Sequence, residues 1–204
     1  MKVVIVAKTR MSHGVCVGGF DMEDHKNVRL IPLGEYNNPD DTKFNIGDVW
    51  DVEYQRKTDI TPPHVEDVNF TKVRYLAKMT NLRAYIQNFC EIDEGPPHVL
   101  FDGKLRTTSN GSGYVCQAGG FPSHSVGFWI ADRDLTRKII DDKVRYYYPA
   151  NADVQKIAYT GVADSIPIIK EGTLIRVSLA RPWVPEEKPG FEERCYLQLS
   201  GWYE

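Results

Sequence analysis

Arg29, Arg145, Tyr147, Arg176 and Trp183 are the side chains of this sequence whose types and spacing fit one recognisable chemistry: holding an anionic strand that carries bases. Guanidinium groups neutralise phosphates, and an aromatic ring that stacks a base contributes about 1–3 kcal/mol. Arg145 and Tyr147 are two residues apart in Lys143-Val-Arg-Tyr-Tyr-Tyr148, so in a strand they share a face. Trp183 stands in a loop framed by prolines, Pro182-Trp-Val-Pro185. Arg176 takes the outward phase of an alternating segment in which Ile175, Val177 and Leu179 point inward. A competing account of the same residues is structural. In it, Arg145 and Arg176 pair with nearby carboxylates, and Tyr147 and Trp183 seal the interface between barrels.

Other chemistries find less support. His13, Cys16 and His25 lie close together, and His-x-x-Cys supplies two zinc ligands. A structural zinc site takes four, and no paired cysteine motif completes the set. Cys16 is therefore assigned to a barrel core, and no metal or other cofactor is expected. Ser125 follows His124, but neighbours in a strand point to opposite faces, so the two do not form a nucleophile–base pair. There is no Gly-x-Ser-x-Gly elbow. Gly18-Gly19 and Gly119-Gly120 match neither a dinucleotide fingerprint nor a Walker loop, and they read as barrel bends. No catalytic residue is expected, and an enzyme of unknown type ranks third among the functional readings.

The elements that would position these residues are mostly strands. Residues 2–7 are apolar and β-branched, and 13–20 with 27–33 read as a hairpin. Trp50, Val52 and Tyr54 alternate with Asp51 and Glu53, the pattern of a half-buried strand. Pro62-Pro63 stops the pairing. From Phe70 to Phe89 the period changes: Val73, Leu76, Leu82, Ile86 and Phe89 recur at helical spacing. A second hairpin is expected over 124–149, and residues 195–203 form a closing strand.

The chain also repeats itself. His13-Gly-Val-Cys-Val-Gly-Gly-Phe-Asp21 parallels His124-Ser-Val-Gly-Phe-Trp-Ile-Ala-Asp132. Val28-Arg29 returns as Val144-Arg145, and Gly47-Asp-Val-Trp-Asp-Val-Glu-Tyr54 returns as Gly172-Thr-Leu-Ile-Arg-Val-Ser-Leu179. Three matches in one order point to an internal duplication and two small barrels in tandem. Between the copies the outward residues change sign, from Asp51 and Glu53 to Arg176 and Ser178.

The 204 residues carry a net charge of −3, which is no global footprint for nucleic acid. Residues 1–102 hold 12 Lys+Arg and 16 Asp+Glu, a net of −4; the rest hold 13 and 12, a net of +1, so an anionic ligand should prefer the second half. The four cysteines are scattered, and the N-terminal apolar run is too short for a secretory signal. No apolar run approaches the roughly 20 residues of a membrane span. A cytoplasmic protein with reduced thiols and no membrane partner is expected.

Taken together the segments resemble the dual OB domain family of bacterial proteins. The residues that carry the resemblance are Thr9-Arg-Met11, Cys16-Val-Gly-Gly19, Val28-Arg-Leu30, Pro62-Pro-His-Val-Glu-Asp67, Phe101-Asp-Gly103, Ser112-Gly-Tyr-Val115, Gly127-Phe-Trp129, Val144-Arg-Tyr146 and Cys195-Tyr-Leu-Gln-Leu-Ser-Gly-Trp-Tyr203. They span nearly the whole chain. The resemblance implies a mainly β protein of two tandem OB-like β-barrels, and the element pattern places them at residues 1–69 and 98–204 with one linking helix at 70–97. It also implies a non-enzymatic nucleic-acid-binding module, for single-stranded DNA or RNA, in the setting of mobile-element defence. The runner-up is a protein-interaction module, because the charge is acidic overall and OB barrels also bind peptides.

Overall fold

Residues 1–149, 154–184 and 190–204 are described by a computed structural model, and strands dominate them. The chain divides into two units, Met1–Glu91 with Thr160–Val162, and Ile92–Tyr159 with Ala163–Glu204. The first is a closed barrel of β1 (Lys2–Arg10), β2 (Val15–Asp21), β3 (Lys26–Pro32), β4 (Asp48–Arg56) and β5 (Asp67–Lys78), in the order β1-β2-β3-β5-β4 with β4 returning to β1. β3 and β5 run parallel, and the other pairs are antiparallel. Val3, Ile5, Val17, Val28, Leu30, Trp50 and Val52 fill the barrel. Phe44 enters from a loop and meets Trp50 and Phe70 edge-on. Bulges in β1 and β5 bend the sheet enough to close it. A Cβ on Gly19 would lie 2.3 Å from Val3 Cγ1, so only glycine lets β2 approach β1 there.

The helix expected over 70–89 is confined to α1 (Leu82–Phe89), capped by Asn81, whose side chain accepts from the Ala84 N–H at 3.0 Å. Residues 70–78 belong to β5 instead. Val73 and Leu76 mimic helical spacing, but the cations of this stretch lie opposite carboxylates of β4: Lys72 faces Glu53, Arg74 faces Asp51 and Lys78 faces Asp48. Cross-strand pairing and the β-branched and aromatic residues Thr71, Val73 and Tyr75 decide the strand. The first unit therefore runs through most of the segment expected to link the barrels. It is completed from far along the chain. Arg10 N–H donates to Thr160 O at 2.8 Å, and Val162 N–H to Lys8 O at 3.3 Å. The Arg10 guanidinium donates to Gly161 O and, at 2.9 Å, to Val162 O.

The second unit holds β6 (Ile92–Gly95), β7 (Arg106–Thr107), β8 (Gly113–Val115), β9 (Val126–Ala131), β10 (Leu135–Ile140), β11 (Lys143–Tyr147), β12 (Lys156–Tyr159), β13 (Ile168–Ile169), β14 (Leu174–Leu179) and β15 (Cys195–Tyr203). Its main ladder reads β13-β10-β11-β12-β15-β14-β9-β6, with β8 joining β7 to β15. Only residues 132–134 separate β9 from β10. β9 pairs with β14 and β10 with β11, so together they act as one bent strand that closes the ladder through the chain. β12 runs parallel to β15 as β3 does to β5. The five-strand plan thus occurs twice: β1, β2, β3, β4 and β5 correspond to β9 with β10, then β11, β12, β14 and β15.

This correspondence corrects two of the sequence matches. Residues 13–32 form the second and third strands of the plan, whereas 124–149 form the first and second. The hairpin there is β10–β11, turning at Asp141-Asp142 with φ of 50° and 56°. His13 and His124 are therefore not equivalent, nor are Arg29 and Arg145. The third match holds. Gly47 and Gly172, at φ of 86° and 75°, each precede the fourth strand of their plan. Each donates its N–H to the first strand, at Ile5 O (2.8 Å) and Ala131 O (3.0 Å). A left-handed residue is needed there, and glycine takes it without strain.

Candidate nucleic-acid interface

Strand register builds the surface. Thr136, Lys138 and Ile140 of β10 lie opposite Tyr147, Arg145 and Lys143 of β11. Arg145 and Tyr147 in turn oppose Ala158 and Lys156 of β12, and Ala158 opposes Gln198 of β15. The alternate residues Tyr146, Ile157, Leu197 and Leu199 are buried in the core. Alternation therefore places Lys138, Lys143, Arg145 and Lys156 together on the outward face around Tyr147. Among the described residues, no carboxylate forms an ion pair with any of these four cations. The Lys138 ammonium lies 4.4 Å from the Tyr147 ring centroid, a cation–π contact that a stacking base would displace.

Aromatic residues continue from the β12–β15 side. Trp183 stands in the loop from β14 to β15 and is 53 % exposed. Its backbone exchanges both N–H···O bonds with Arg194, each 3.1 Å, and its ring meets Tyr196 edge-on with centroids 6.2 Å apart. Tyr196 lies against Tyr114 of β8 at 6.0 Å. The Arg194 guanidinium sits 4.1 Å from the Tyr114 ring and 4.3 Å from Phe191, and its Nη2 donates to Glu192 Oε1 at 2.9 Å. The Cys116 thiol, and then Arg194, hold Glu192 below the usual carboxylate range. Arg106 lies exposed opposite Tyr114 and donates to Cys116 Sγ at 3.6 Å. Burial pushes the Cys195 thiol up to about 12, which keeps it neutral and unreactive.

Of the residues singled out in the sequence, Arg145 and Tyr147 share one outward face, and Trp183 belongs to the same unit. Arg176 does not join them. It is 1 % exposed, with its guanidinium 4.4 Å from the Phe128 ring. β14 is flanked by β9 and β15, and its residues Leu174, Ile175, Arg176 and Val177 are all buried, so alternation there does not separate core from solvent. Arg29 belongs to the first unit and is engaged by its cross-strand neighbour Asp67: Nε lies 2.8 Å from Oδ1, and Nη2 donates to Oδ2 at 2.9 Å. Burial pushes the Asp67 carboxyl up to about 6 against the opposing pull of Arg29. Cys16 is half-buried on the outward phase of β2, not in the core. His124 meets Ser123, Nδ1 to Oγ 3.1 Å, while Asp102 Oδ1 lies 3.7 Å from the same nitrogen, so no relay runs through the ring. Ser125 is buried.

The sequence reading missed Lys138, Lys143, Lys156, Tyr114 and Tyr196. Lys143 was accessible from its period-two spacing to Arg145 and Tyr147. Lys138, Lys156 and Tyr196 join the face, and the buried Tyr114 comes to lie behind it, only through cross-strand register.

Two units that repeat one five-strand plan, each with its third and fifth strands parallel, define a protein of paired OB-like barrels. The chain belongs to the family of the dual OB-containing domain, whose model matches residues 1–202. Comparison with curated proteins gives no match. OB folds commonly bind nucleic acids, on the face of strands two and three and with the loops joining strands one to two and four to five. Here those parts are β11, β12, the turn at Asp141-Asp142 and the loop bearing Trp183. Among the described residues, no helix is long and apolar enough to cross a membrane.

Proposed function

We propose that this protein binds single-stranded nucleic acid, DNA or RNA, on the outward face of its second barrel, and that it does so without catalysis. The observation that carries the reading is the group of four cations around Tyr147, none ion-paired to a carboxylate among the described residues, on the face that OB barrels use for ligands. Lys138, Lys143, Arg145 and Lys156 take the phosphates. Trp183 and Tyr196 offer ring surface to unpaired bases, which a duplex would keep stacked within itself. In the first barrel Arg29 is matched by Asp67, and the cations of β5 are matched by the carboxylates of β4, so its surface is a weaker phosphate site. OB families are generally non-catalytic, which agrees with the absence of a catalytic residue from the proposal. The family resemblance adds mobile-element defence as the setting.

The test is fluorescence anisotropy of a labelled oligothymidylate from about 50 to about 200 mM salt, a range over which phosphate-dominated binding weakens steeply. Single-stranded ligand should bind in preference to duplex. Absence of binding even at the lowest salt would falsify the reading and favour a protein partner, whose largely apolar contact is far less sensitive to salt.

A further inference from the structure

We infer that Arg194 is a positioning residue: it fixes the Trp183–Tyr196 platform and makes no contact with ligand phosphate. Its geometry stands by itself, and its consequence for binding rests on the nucleic-acid reading above. Two rings pack on the guanidinium, Tyr114 at 4.1 Å and Phe191 at 4.3 Å, so its stacking surface is taken up within the protein. Nε and Nη2 both donate to Glu192 Oε1, at 3.2 and 2.9 Å, so the cation is already neutralised inside the protein. The same residue exchanges two backbone hydrogen bonds with Trp183. Tyr114, which carries the guanidinium, also supports Tyr196, and Tyr196 supports the indole of Trp183. One residue is thus tied by its backbone to the segment that presents Trp183 and by its side chain to the ring behind Tyr196.

A half-exposed tryptophan on a loop loses rotamer freedom when it binds, and holding it beforehand reduces that loss. Lysine cannot reproduce the arrangement, because its ammonium is a point charge that has no flat face to stack on a ring and no planar fork to aim at one carboxylate. Because Arg194 releases no counterion on binding, its replacement leaves the salt dependence untouched.

The experiment uses the full chain with 5-fluorotryptophan at Trp50, Trp129, Trp183 and Trp202. The Trp183 fluorine resonance is identified by its loss in Trp183→Phe. Arg194→Ala and the milder Arg194→Lys should both shift the Trp183 resonance in the absence of ligand and leave those of Trp50 and Trp129 in place. Affinity for labelled oligothymidylate should fall about tenfold, within the range of one stacked base, with an unchanged log–log salt slope. A Trp183 resonance that stays put in both variants overturns the inference. So does a salt slope that drops by about 0.7, the signature of a lost phosphate contact. If the wild type binds no oligonucleotide, the proposed function fails, and the resonance still decides the role of Arg194.

Discussion

Arg145 and Trp183 should leave different traces when each is replaced. Arg145→Ala removes one phosphate contact, so the log–log salt slope for oligothymidylate should fall by about 0.7. Trp183→Ala should cost about 1–3 kcal/mol of binding with little change in slope. Anisotropy titrations at several salt concentrations separate the two, and equal slopes in wild type and Arg145→Ala count against Arg145 as a phosphate ligand. Asp67 makes a different prediction. Its carboxyl, raised by burial from 3.8 to about 6, holds a proton more tightly in the folded chain than in the unfolded one. The folded state therefore binds more protons between those values, and stability contributed by this group falls as pH rises from about 4 to about 6. Urea midpoints at a series of pH values should show that decline in the wild type and lose it in Asp67→Asn. At this scale the sequence was legible where one strand sufficed, as with Arg145 and Tyr147. It misled at Arg176, because whether a strand is covered on one face or both depends on neighbours that its own residues do not name.

Among the elements, β2 is packed tightly against β1 at Gly19. A methyl group there would meet Val3 Cγ1 at 2.3 Å and Val28 Cγ2 at 3.3 Å. Gly19→Ala should therefore destabilise the protein by about 1–3 kcal/mol, the usual range for overpacking, read as a lower denaturant midpoint with unchanged m-value. The strands were largely legible from alternation and turn residues, and α1 from the spacing of Leu82, Ile86 and Phe89. The stretch from Phe70 to Lys78 was not. Its apolar spacing fits a helix as well as a strand, and what decides between them is a row of carboxylates on β4, nearly twenty or more residues earlier in the chain. The second hairpin was displaced for a related reason: Asp141-Asp142 takes a left-handed turn that glycine or asparagine would have announced more clearly.

For the whole molecule, two barrels could be read from the repeated Gly47 and Gly172 segments, whereas the limits of each unit could not. The obstacle is Thr160–Val162, which lies along the end of β1 although it is far from it in sequence. Arg10 holds that segment through Gly161 O and Val162 O. Arg10→Ala should lower stability by about 1–3 kcal/mol, two hydrogen bonds at about 0.5–1.5 kcal/mol each. It should also speed amide exchange at Val162 relative to the barrel core, and unchanged exchange there would show that the backbone pairing holds the segment unaided.

The same segment bears on heredity. The first unit is encoded by two stretches of the gene, and the message for most of the second unit interrupts them. No single crossover can carry the first unit into a new reading frame with its Thr160–Val162 segment, and no single stop codon can leave that unit alone and whole. Exchange between lineages would then favour the pair moving as one block.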